Sequence, residues 1–332
     1  MFKRIFETTE FITFAIIVLL SIIIGSINPA FYSWAMLFDI LRASIVYSIM
    51  AFGLLPVIIA GGVDISFVAI AALSSYATHM LLLQSGYQGG ILLYFLIACP
   101  IGIIAGLLNG IIATRFKLLI YDVSLAMYTM WYGFIRFFIG SKRSFTIPDG
   151  SANFYSQFLL TVENPFVGVS GLHISVLFVL VIGVAMTLML KYTTLGRGIY
   201  AIGGNREVAF RSGFNVDKIT TIVLMIMGGL AAFAGITYSL LSRHFDPAEF
   251  MGQELDVIAA IILGGASLSG GEGNVIGSFL GVIVIQLIHR ALILTGIPVE
   301  WQDLMVGILL VFFISFPYIQ DALKKLALKL SH

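Results

Sequence analysis

Long apolar runs separated by short polar segments dominate the pattern along this chain. A helix needs about 20 mostly apolar residues to cross the hydrocarbon core of a bilayer, and ten stretches have that general character. They are residues 9–28, 43–60, 66–84, 90–113, 121–140, 172–190, 219–241, 255–265, 274–294 and 302–319. The stretch 255–265 is too short to cross alone, so we expect it to continue into the glycine-rich segment behind it or to be a broken element. The pattern predicts an all-α polytopic membrane protein with about ten transmembrane helices.

One polar interruption, Thr193–Lys218, is too charged to lie in lipid. It separates two strongly apolar stretches and contains Arg197, Arg206, Glu207, Arg211, Asp217 and Lys218. Two interpretations fit such a segment. It is either an ordinary solvated helix between two spans or a docking surface for a soluble partner.

The signals inside this segment predict a short helix from Arg206 to Ser212. Asn205 is a suitable N-cap, because its side-chain oxygen can accept hydrogen bonds from the free amides of the first turn. Glu207 lies at the positive end of the helix dipole and Arg211 lies towards the negative end. Gly213 can adopt the left-handed conformation that closes a helix.

The segment has two further features, one before this helix and one within it. Gly203 and Gly204 come directly before it and permit a tight turn. Val208, Ala209 and Phe210 lie within it and are expected to form a small apolar contact.

Composition agrees with a membrane protein and excludes several function classes. Hydrophobic residues make up 59% and charged residues 11%, against about 25% charged in soluble domains. The net charge of +1 argues against nucleic acid as a partner. Cys99 is the only cysteine, so no disulfide forms within the chain. The histidines show no metal-ligand spacing, and no Ser-His-Asp or Cys-His arrangement supports catalysis.

Three motifs resemble the permease subunits of sugar-type ABC importers, a family that includes permeases for ribose, other sugars and autoinducer-2. The first is Gly61-Gly62-Val63-Asp64-Ile65-Ser66. The second is Leu195-Gly196-Arg197 together with Tyr200-Ala201-Ile202-Gly203-Gly204-Asn205. The third is the stretch 255–273, which reads LDVIAAIILGGASLSGGEG.

The resemblance implies that the polar interruption contains the coupling helix, which in this family sits in a groove of the ATPase subunit. The residues that it assigns to ATPase coupling are Leu195, Gly196, Arg197, Gly203, Gly204, Asn205, Arg206, Glu207, Phe210, Arg211 and Gly213. It also implies the partners: ABC ATPase subunits, a second identical or similar permease, and a periplasmic or lipid-anchored solute-binding protein. ATP and Mg²⁺ would be bound by the ATPase, with no cofactor in this chain.

The chain itself is not expected to bind ATP. Leu268-Ser269-Gly270-Gly271-Glu272 almost spells the signature loop of an ABC ATPase. That loop acts only beside a nucleotide held by a G-x-x-x-x-G-K-[ST] motif, and the sequence contains no Gly-Lys pair. We interpret it as a glycine-rich break between spans.

Positive charge predicts the orientation in the membrane. Ten spans with an inside amino terminus place 12 of the 18 basic residues in the cytoplasm. These are Lys3, Arg4, Arg115, Lys117, Lys191, Arg197, Arg206, Arg211, Lys218, Lys324, Lys325 and Lys329. The expected location is the bacterial inner membrane, with both termini and the 193–218 segment in the cytoplasm. The stretches Ser141–Gly171 and Ser242–Glu254 are then external, as plain loops or as docking surfaces for a binding protein.

An internal echo predicts a two-fold repeat. Residues 57–66 (VIIAGGVDIS) align with residues 260–269 (AIILGGASLS), each an aliphatic run followed by a Gly pair and a small polar turn. Duplicated halves are common in transporters, and the substrate path usually runs between them. We therefore treat residues 1–332 as one permease domain with halves of about 1–171 and 172–332.

Polar side chains near the spans are the candidates for a substrate pathway, because charge in the bilayer is costly unless it faces water, a partner or a ligand. Asp64 and Asp256 either cap the helices that follow them or contact substrate. Asp122 stands where the family has an aliphatic residue, in Leu119-Ile120-Tyr121-Asp122, which also lacks the family's proline. It either pairs with Arg115 or Lys117 or lines the cavity and favours a hydroxyl-rich or cationic ligand.

Three other side chains belong to the same candidate pathway. Asn109 lies beside the Gly102, Gly106 and Gly110 face, where small residues at four-residue spacing let helices approach closely. It forms an interhelical hydrogen bond or lines the pore. Tyr128 and Trp131 are either pathway aromatics or the ordinary aromatics of a membrane interface.

Together these observations predict the permease subunit of a binding-protein-dependent ABC importer that moves a small polar solute, a sugar or a sugar-like molecule, by ATP-driven alternating access. Two alternatives remain open from sequence. One is an ATP-independent channel or secondary carrier, and the other is a branched-chain amino-acid-type ABC permease.

Overall fold

The computed structural model describes residues 9–164 and 168–294, together with 298, 301, 304–308, 311 and 315. Its helices are α1 (Thr9–Ile27), α2 (Trp34–Ile59), α3 (Phe67–Gln84), α4 (Leu92–Arg115), α5 (Ile120–Phe134), α6 (Asp149–Ala152), α7 (Val176–Tyr192), α8 (Thr194–Gly204), α9 (Arg206–Arg211), α10 (Val216–Ser242), α11 (Glu254–Leu263) and α12 (Val275–Leu294). Two strands, β1 (Phe158–Asn164) and β2 (Gly168–His173), form an antiparallel hairpin. The predicted all-α class is confirmed, and the hairpin is an addition within the stretch expected to be a loop.

Six helices among the described residues are long and apolar enough to cross a membrane: α1, α2, α3, α4, α10 and α12. The α7–α8 pair makes a seventh if a bend of 71° is allowed within one span. α5 continues into a π-helical turn, Ile135–Ile139, which brings it to the end of the predicted stretch 121–140. Most of the predicted span 302–319 lies outside the described residues, so the count of ten stays a prediction.

The largest boundary error concerns α2, which begins at Trp34 rather than at residue 43. Asp39 and Arg42 interrupt the apolar run, so the sequence pattern places them outside the span. In the fold Asp39 pairs with Arg290 on α12, with Oδ2 and Nη1 3.2 Å apart. Because the Asp39 charge is paired, the helix can continue through this position.

Small residues hold the core helices at close range, as predicted for the face formed by Gly102, Gly106 and Gly110. A Cβ at Gly102 would lie 2.2 Å from the Gly228 carbonyl oxygen of α10, and one at Gly106 would lie 2.2 Å from that of Leu224. Distances this short are possible only for glycine, so α4 and α10 are packed backbone against backbone.

The two segments of the internal echo end their helices in the same way. After α2, Gly61 has a φ of +79°, and the Gly62 amide donates to the Val57 carbonyl at 3.0 Å. After α11, Gly265 has a φ of +88°, and the Ala266 amide donates to the Ile261 carbonyl at 3.2 Å. Both are left-handed glycine C-caps. The equivalent glycines are therefore Gly61 and Gly265, one residue away from the pairing that the sequence alignment gives.

The two predicted external stretches are tied together at the hairpin end of the molecule. Ser144 and Phe245 exchange backbone hydrogen bonds of 2.9 Å in both directions, and Arg143 pairs with Asp246 at 2.6 Å. Burial raises the pKa of Asp246, but hydrogen bonds from the Ala248 amide and from Arg143 outweigh it and leave the pKa below its usual value. The pairing is therefore present at neutral pH and is lost only as the pH falls through that lowered pKa.

Candidate docking surface and polar cavity

The bend between α7 and α8 turns the chain out of the membrane bundle towards α9. Thr193 ends α7 and caps α8, since its hydroxyl accepts a hydrogen bond from the Gly196 amide at 3.1 Å. A Cβ at Gly196 would lie 2.2 Å from the Leu190 carbonyl oxygen, so the sharp bend requires glycine there. Leu195 is half-buried and Arg197 is exposed on the outer face of α8.

α9 is a capped, charged helix of six residues, one shorter than predicted. The Asn205 side-chain oxygen accepts from the amides of Glu207 and Val208, both at 3.0 Å. Glu207 pairs with Arg211 one turn later. Arg206 lies 3.4 Å from Asp217 at the start of α10. Gly213 follows the helix with a φ of +90°, the left-handed closure that the sequence predicts.

The three apolar residues of α9, which were expected to form one small apolar contact, point in two directions. Ala209 is buried against the body of the protein, whereas Val208 is 58% and Phe210 69% exposed. Beside them lies a groove of about 700 Å³. Its lining residues are Arg206, Glu207, Phe210, Gly213, Phe214, Asn215, Val216 and Asp217. We call α9 and this groove the docking surface.

Gly203 and Gly204 do not form the predicted turn, because both lie inside α8. Gly203 serves a different purpose. A Cβ there would lie 1.8 Å from the Ile59 carbonyl oxygen and 2.4 Å from the Gly271 nitrogen. The helix can approach these two backbones only because residue 203 has no side chain.

Gly203 therefore joins three parts of the chain, and we call this contact the glycine junction: Ile59, Gly203, Gly270 and Gly271. The Gly271 amide donates to the Ile59 carbonyl at 2.8 Å. The Tyr200 hydroxyl, one turn before Gly203, donates to the Gly273 carbonyl at 2.7 Å. The end of α8 is thereby fixed to the end of α2 and to the loop between α11 and α12, which are the two segments of the internal echo.

Replacing Asn205 with alanine should loosen α9 without unfolding the protein. The change removes two hydrogen bonds to amides of the first turn, and loss of an N-cap of this type costs about 0.5–2 kcal/mol. Asn205 is exposed, so no core packing is lost. Hydrogen exchange should show faster exchange at Glu207 and Val208 while α10 is unchanged. Asn205→Asp, which keeps the acceptor, is the matched control and should exchange like the natural protein.

Asp64 and Asn109 meet in a buried polar cluster at the start of α3. The Asp64 carboxylate accepts from the amide and the hydroxyl of Ser66, both at 2.7 Å. Asn109 on α4 donates its side-chain amide to the same hydroxyl at 2.7 Å. Asn109 thus makes an interhelical hydrogen bond, and Asp64 holds Ser66, the N-cap residue directly before α3.

Asp122 does not pair with Arg115 or Lys117. It lies exposed in the first turn of α5, and no ion pair of Asp122 occurs among the described residues. A carboxylate near a helix amino terminus is favoured by the helix dipole. That position accounts for Asp122 without a basic partner.

Tyr128, Trp131 and Asp256 lie further along the bundle. Tyr128 packs edge-to-face on Tyr132, with ring centroids 5.0 Å apart, and Trp131 is buried. The Tyr132 hydroxyl donates to the Glu249 carbonyl at 2.7 Å, which connects α5 to the segment before α11. Asp256 lies in the first turn of α11, with Oδ2 3.9 Å from His289 Nε2.

A second polar region, which was not predicted from the sequence, lies at the hairpin end of the molecule, where three helices meet. This cavity of about 390 Å³ is open on one side and is bordered by the start of α2, the end of α10 and the end of α12. Its lining residues are Asp39, Arg42, Ala43, Val46, Tyr47, Tyr238, Leu241, Ser242, Gln286, His289, Arg290 and Ile293. We call it the polar cavity. The sequence does contain a signal for this region, which is charge in or beside apolar helical stretches. Asp39 and Arg42 lie one turn apart, and His289 is next to Arg290.

The fold is that of a polytopic membrane protein, and comparison with known families shows the kind. The chain belongs to the family described as branched-chain amino acid transport system / permease component, whose model matches residues 36–314. The resemblance predicted from the three motifs is confirmed at the level of the family.

Curated relatives are import permeases. The ribose import permease protein RbsC of Bacillus subtilis (strain 168) is 31% identical over 88% of this chain and 87% of its own length. The autoinducer 2 import system permease protein LsrC of Enterobacter sp. (strain 638) is 30% identical over 93% of this chain and 86% of its own. The fructose import permease protein FruG of Bifidobacterium longum (strain NCC 2705) is 30% identical over 80% of this chain and 77% of its own. No solved structure matches this chain.

Proposed function

We propose that this chain is the membrane-spanning subunit of a binding-protein-dependent ABC importer that moves a sugar or sugar-like solute into the cytoplasm. The observation that carries the proposal is the docking surface, in a chain of the permease family. Phe210 and Val208 are exposed at the tip of a capped helix, where nothing in the described chain covers them. Aromatic residues, Phe among them, are enriched in protein interfaces, whose rims are polar.

The nature of the solute is supported by the relatives rather than by the family description. The relatives named above import ribose, autoinducer 2 and fructose, whereas the family description names branched-chain amino acids.

The proposed mechanism begins with ATPase subunits closing on ATP and moving α9. Because α9 follows directly on α8, the movement reaches the glycine junction and from there the end of α2 and the loop before α12. α2 and α12 carry Asp39 and Arg290 at their other ends. Asp39 and Ile59 are 20 residues apart on one helix, which corresponds to about 30 Å. Tilting α2 and α12 at the junction therefore opens or closes the polar cavity from a distance.

The complete importer contains three further kinds of subunit. A second copy of this chain, or a similar permease, would form the other half of the membrane unit. Two ATPase subunits would bind ATP and Mg²⁺ and occupy the docking surfaces. A solute-binding protein would deliver the ligand at the β1–β2 hairpin and at the paired loops, which are the two loops joined by the Ser144–Phe245 hydrogen bonds. These parts would then face outwards.

Uptake by proteoliposomes that contain the permease, its ATPase and its binding protein tests this function. Uptake of radiolabelled D-ribose, D-fructose and L-leucine should be compared with and without ATP on the side of the membrane that carries the ATPase. We expect sugar uptake only with ATP. Equal flux without ATP would replace the proposal with a channel or carrier, and ATP-dependent uptake of leucine alone would replace the sugar with a branched-chain amino acid.

A further inference from the structure

The most informative unexplained group in this molecule is the side chain of Gln286 on α12. It is 4% exposed, and its Nε2 atom has no hydrogen-bond partner among the described residues. Buried amide groups are rarely left unpaired, since the lost hydrogen bonds to water are then not replaced. Gln286 also borders the polar cavity. The terminal torsion of glutamine has broad, roughly two-fold minima, so a small rotation presents a polar atom of the amide to the cavity.

The groups around the cavity supply both hydrogen-bond donors and acceptors. The Asp39 carboxylate is an acceptor and the guanidinium groups of Arg42 and Arg290 are donors, while the Gln286 amide has both. Tyr47 donates its hydroxyl to Gln253 at 2.9 Å and keeps its own oxygen as an acceptor. Hydroxyl groups act as donors and acceptors at once, so a ligand that carries several of them can match such a mixed set.

Charge balance around the cavity selects a neutral ligand. Arg290 lies 3.2 Å from Asp39, and His289 behind it lies 3.9 Å from Asp256. The lining itself has one carboxylate, that of Asp39, and two guanidinium groups, those of Arg42 and Arg290. The Asp256 carboxylate lies outside the lining, behind His289, and supplies the second negative charge nearby. An anionic ligand would face Asp39, and a cationic ligand would face Arg42 and Arg290, so neither has a clear electrostatic gain.

Size and position also fit a small solute. The cavity volume of about 390 Å³ lies within the ~300–1,000 Å³ that is typical of small-molecule sites. One wall is close to the segment that leads into the hairpin, because Arg42 donates to the Tyr155 carbonyl at 3.4 Å. The cavity therefore lies at the end of the molecule opposite to the docking surface, where the proposed function has the solute enter.

We propose that the polar cavity is a binding site for a neutral, polyhydroxylated ligand and that Gln286 is one of its specificity-determining contacts. The inference rests on the proposed function for the direction of transport, but the site itself is defined by α2, α10 and α12. Binding satisfies the Gln286 amide with a ligand hydroxyl oxygen. Asp39, held by Arg290, accepts from another hydroxyl.

Binding of labelled sugars to the purified full-length permease in lipid nanodiscs tests the site. The probes are D-ribose and D-fructose as neutral sugars and D-gluconate as a sugar acid. We expect saturable binding of at least one neutral sugar and weaker binding of gluconate. Gln286→Leu keeps the volume of the side chain but removes its amide, and it should weaken sugar binding at least tenfold. Ser48→Ala is the matched control: it removes another buried, unpartnered polar atom, from a groove outside the polar cavity, and should bind like the natural protein.

Two further measurements distinguish this inference from a structural role and from failure of the proposed function. Thermal unfolding of Gln286→Leu should be unchanged or shifted upwards, because removal of an unpaired buried amide does not destabilise the fold. If Gln286→Leu is folded and binds sugar like the natural protein, or if only gluconate or no probe binds the natural protein, the inference is overturned. Co-purification with the ATPase should be the same for Gln286→Leu and the natural protein, since loss of association in both would contradict the importer and leave the sugar site standing.

Discussion

Replacing Gly203 with alanine should abolish ATP-driven uptake, whereas the same change at Gly204 should leave the packing of α8 against α2 intact. The added Cβ would lie 1.8 Å from the Ile59 carbonyl oxygen and 2.4 Å from the Gly271 nitrogen. These two atoms are hydrogen-bonded to each other, since the Gly271 amide donates to the Ile59 carbonyl. Neither can therefore move aside alone. Overpacking a close contact typically costs about 1–3 kcal/mol, and we expect the upper end of that range. α8 would separate from α2, and the movement of α9 would no longer reach the membrane helices.

Gly204 is a suitable control because it is the next residue in the same helix and nothing lies within 4 Å of the position of its Cβ. Alanine is also the better helix former there. The measurements are the thermal midpoint of each purified variant and the number of solute molecules transported per ATP hydrolysed. If Gly203→Ala is as stable and as well coupled as Gly204→Ala, the glycine junction does not transmit movement.

The double substitution Glu207→Lys with Phe210→Asp should prevent association with the ATPase while leaving the permease folded. Phe210 is 69% exposed and the Glu207 side chain 70% exposed, so the substitutions remove little internal packing. An interfacial aromatic hot spot is worth about 2 kcal/mol or more, which is about 30-fold in affinity at 25 °C. Charge reversal at Glu207 also places Lys beside Arg211, which weakens the electrostatic fit further.

Phe145→Asp provides the matched control for this pair. Phe145 is also 69% exposed, but it lies in the paired loops at the hairpin end. The Phe145→Asp variant should therefore co-purify with the ATPase as the natural protein does. Size-exclusion chromatography reports whether all variants are folded and monodisperse. Retention of ATPase binding by the folded double variant would contradict the assignment of the docking surface.

Local features of the sequence predicted the parts of the fold that depend on neighbouring residues. The spans at 66–84 and 274–294 agree with α3 and α12 within a residue, because apolar length decides them. α9 was predicted within one residue, since Asn205 and Gly213 fix its ends by short-range hydrogen bonds and backbone geometry. The Gly102 face was also predictable, because four-residue spacing is visible without knowledge of the partner helix.

Features that depend on distant contacts could not be predicted in the same way. Gly203 reads as a turn residue until Ile59 and Gly271 are placed beside it. Asp39 and Arg42 read as the end of a span until Arg290 supplies a partner from the other half of the chain. The unpaired Gln286 has no sequence signal, because burial and the absence of a partner are properties of the folded state.

The hairpin β1–β2 was missed for a related reason. Its strands are short and lie in a stretch that contains several turn residues, and strand pairing is set by a partner rather than by local preference. The pairing of Ser144 with Phe245 joins residues about 100 positions apart, which no local pattern encodes.

The most direct test of the importer is ATP hydrolysis by the permease reconstituted with its ATPase, measured with and without the sugar-loaded binding protein. We expect that the loaded binding protein stimulates hydrolysis and that the stimulation disappears in the Glu207→Lys, Phe210→Asp variant. Failure of the ATPase to associate with the natural permease, with solute flux that does not respond to ATP, would contradict it.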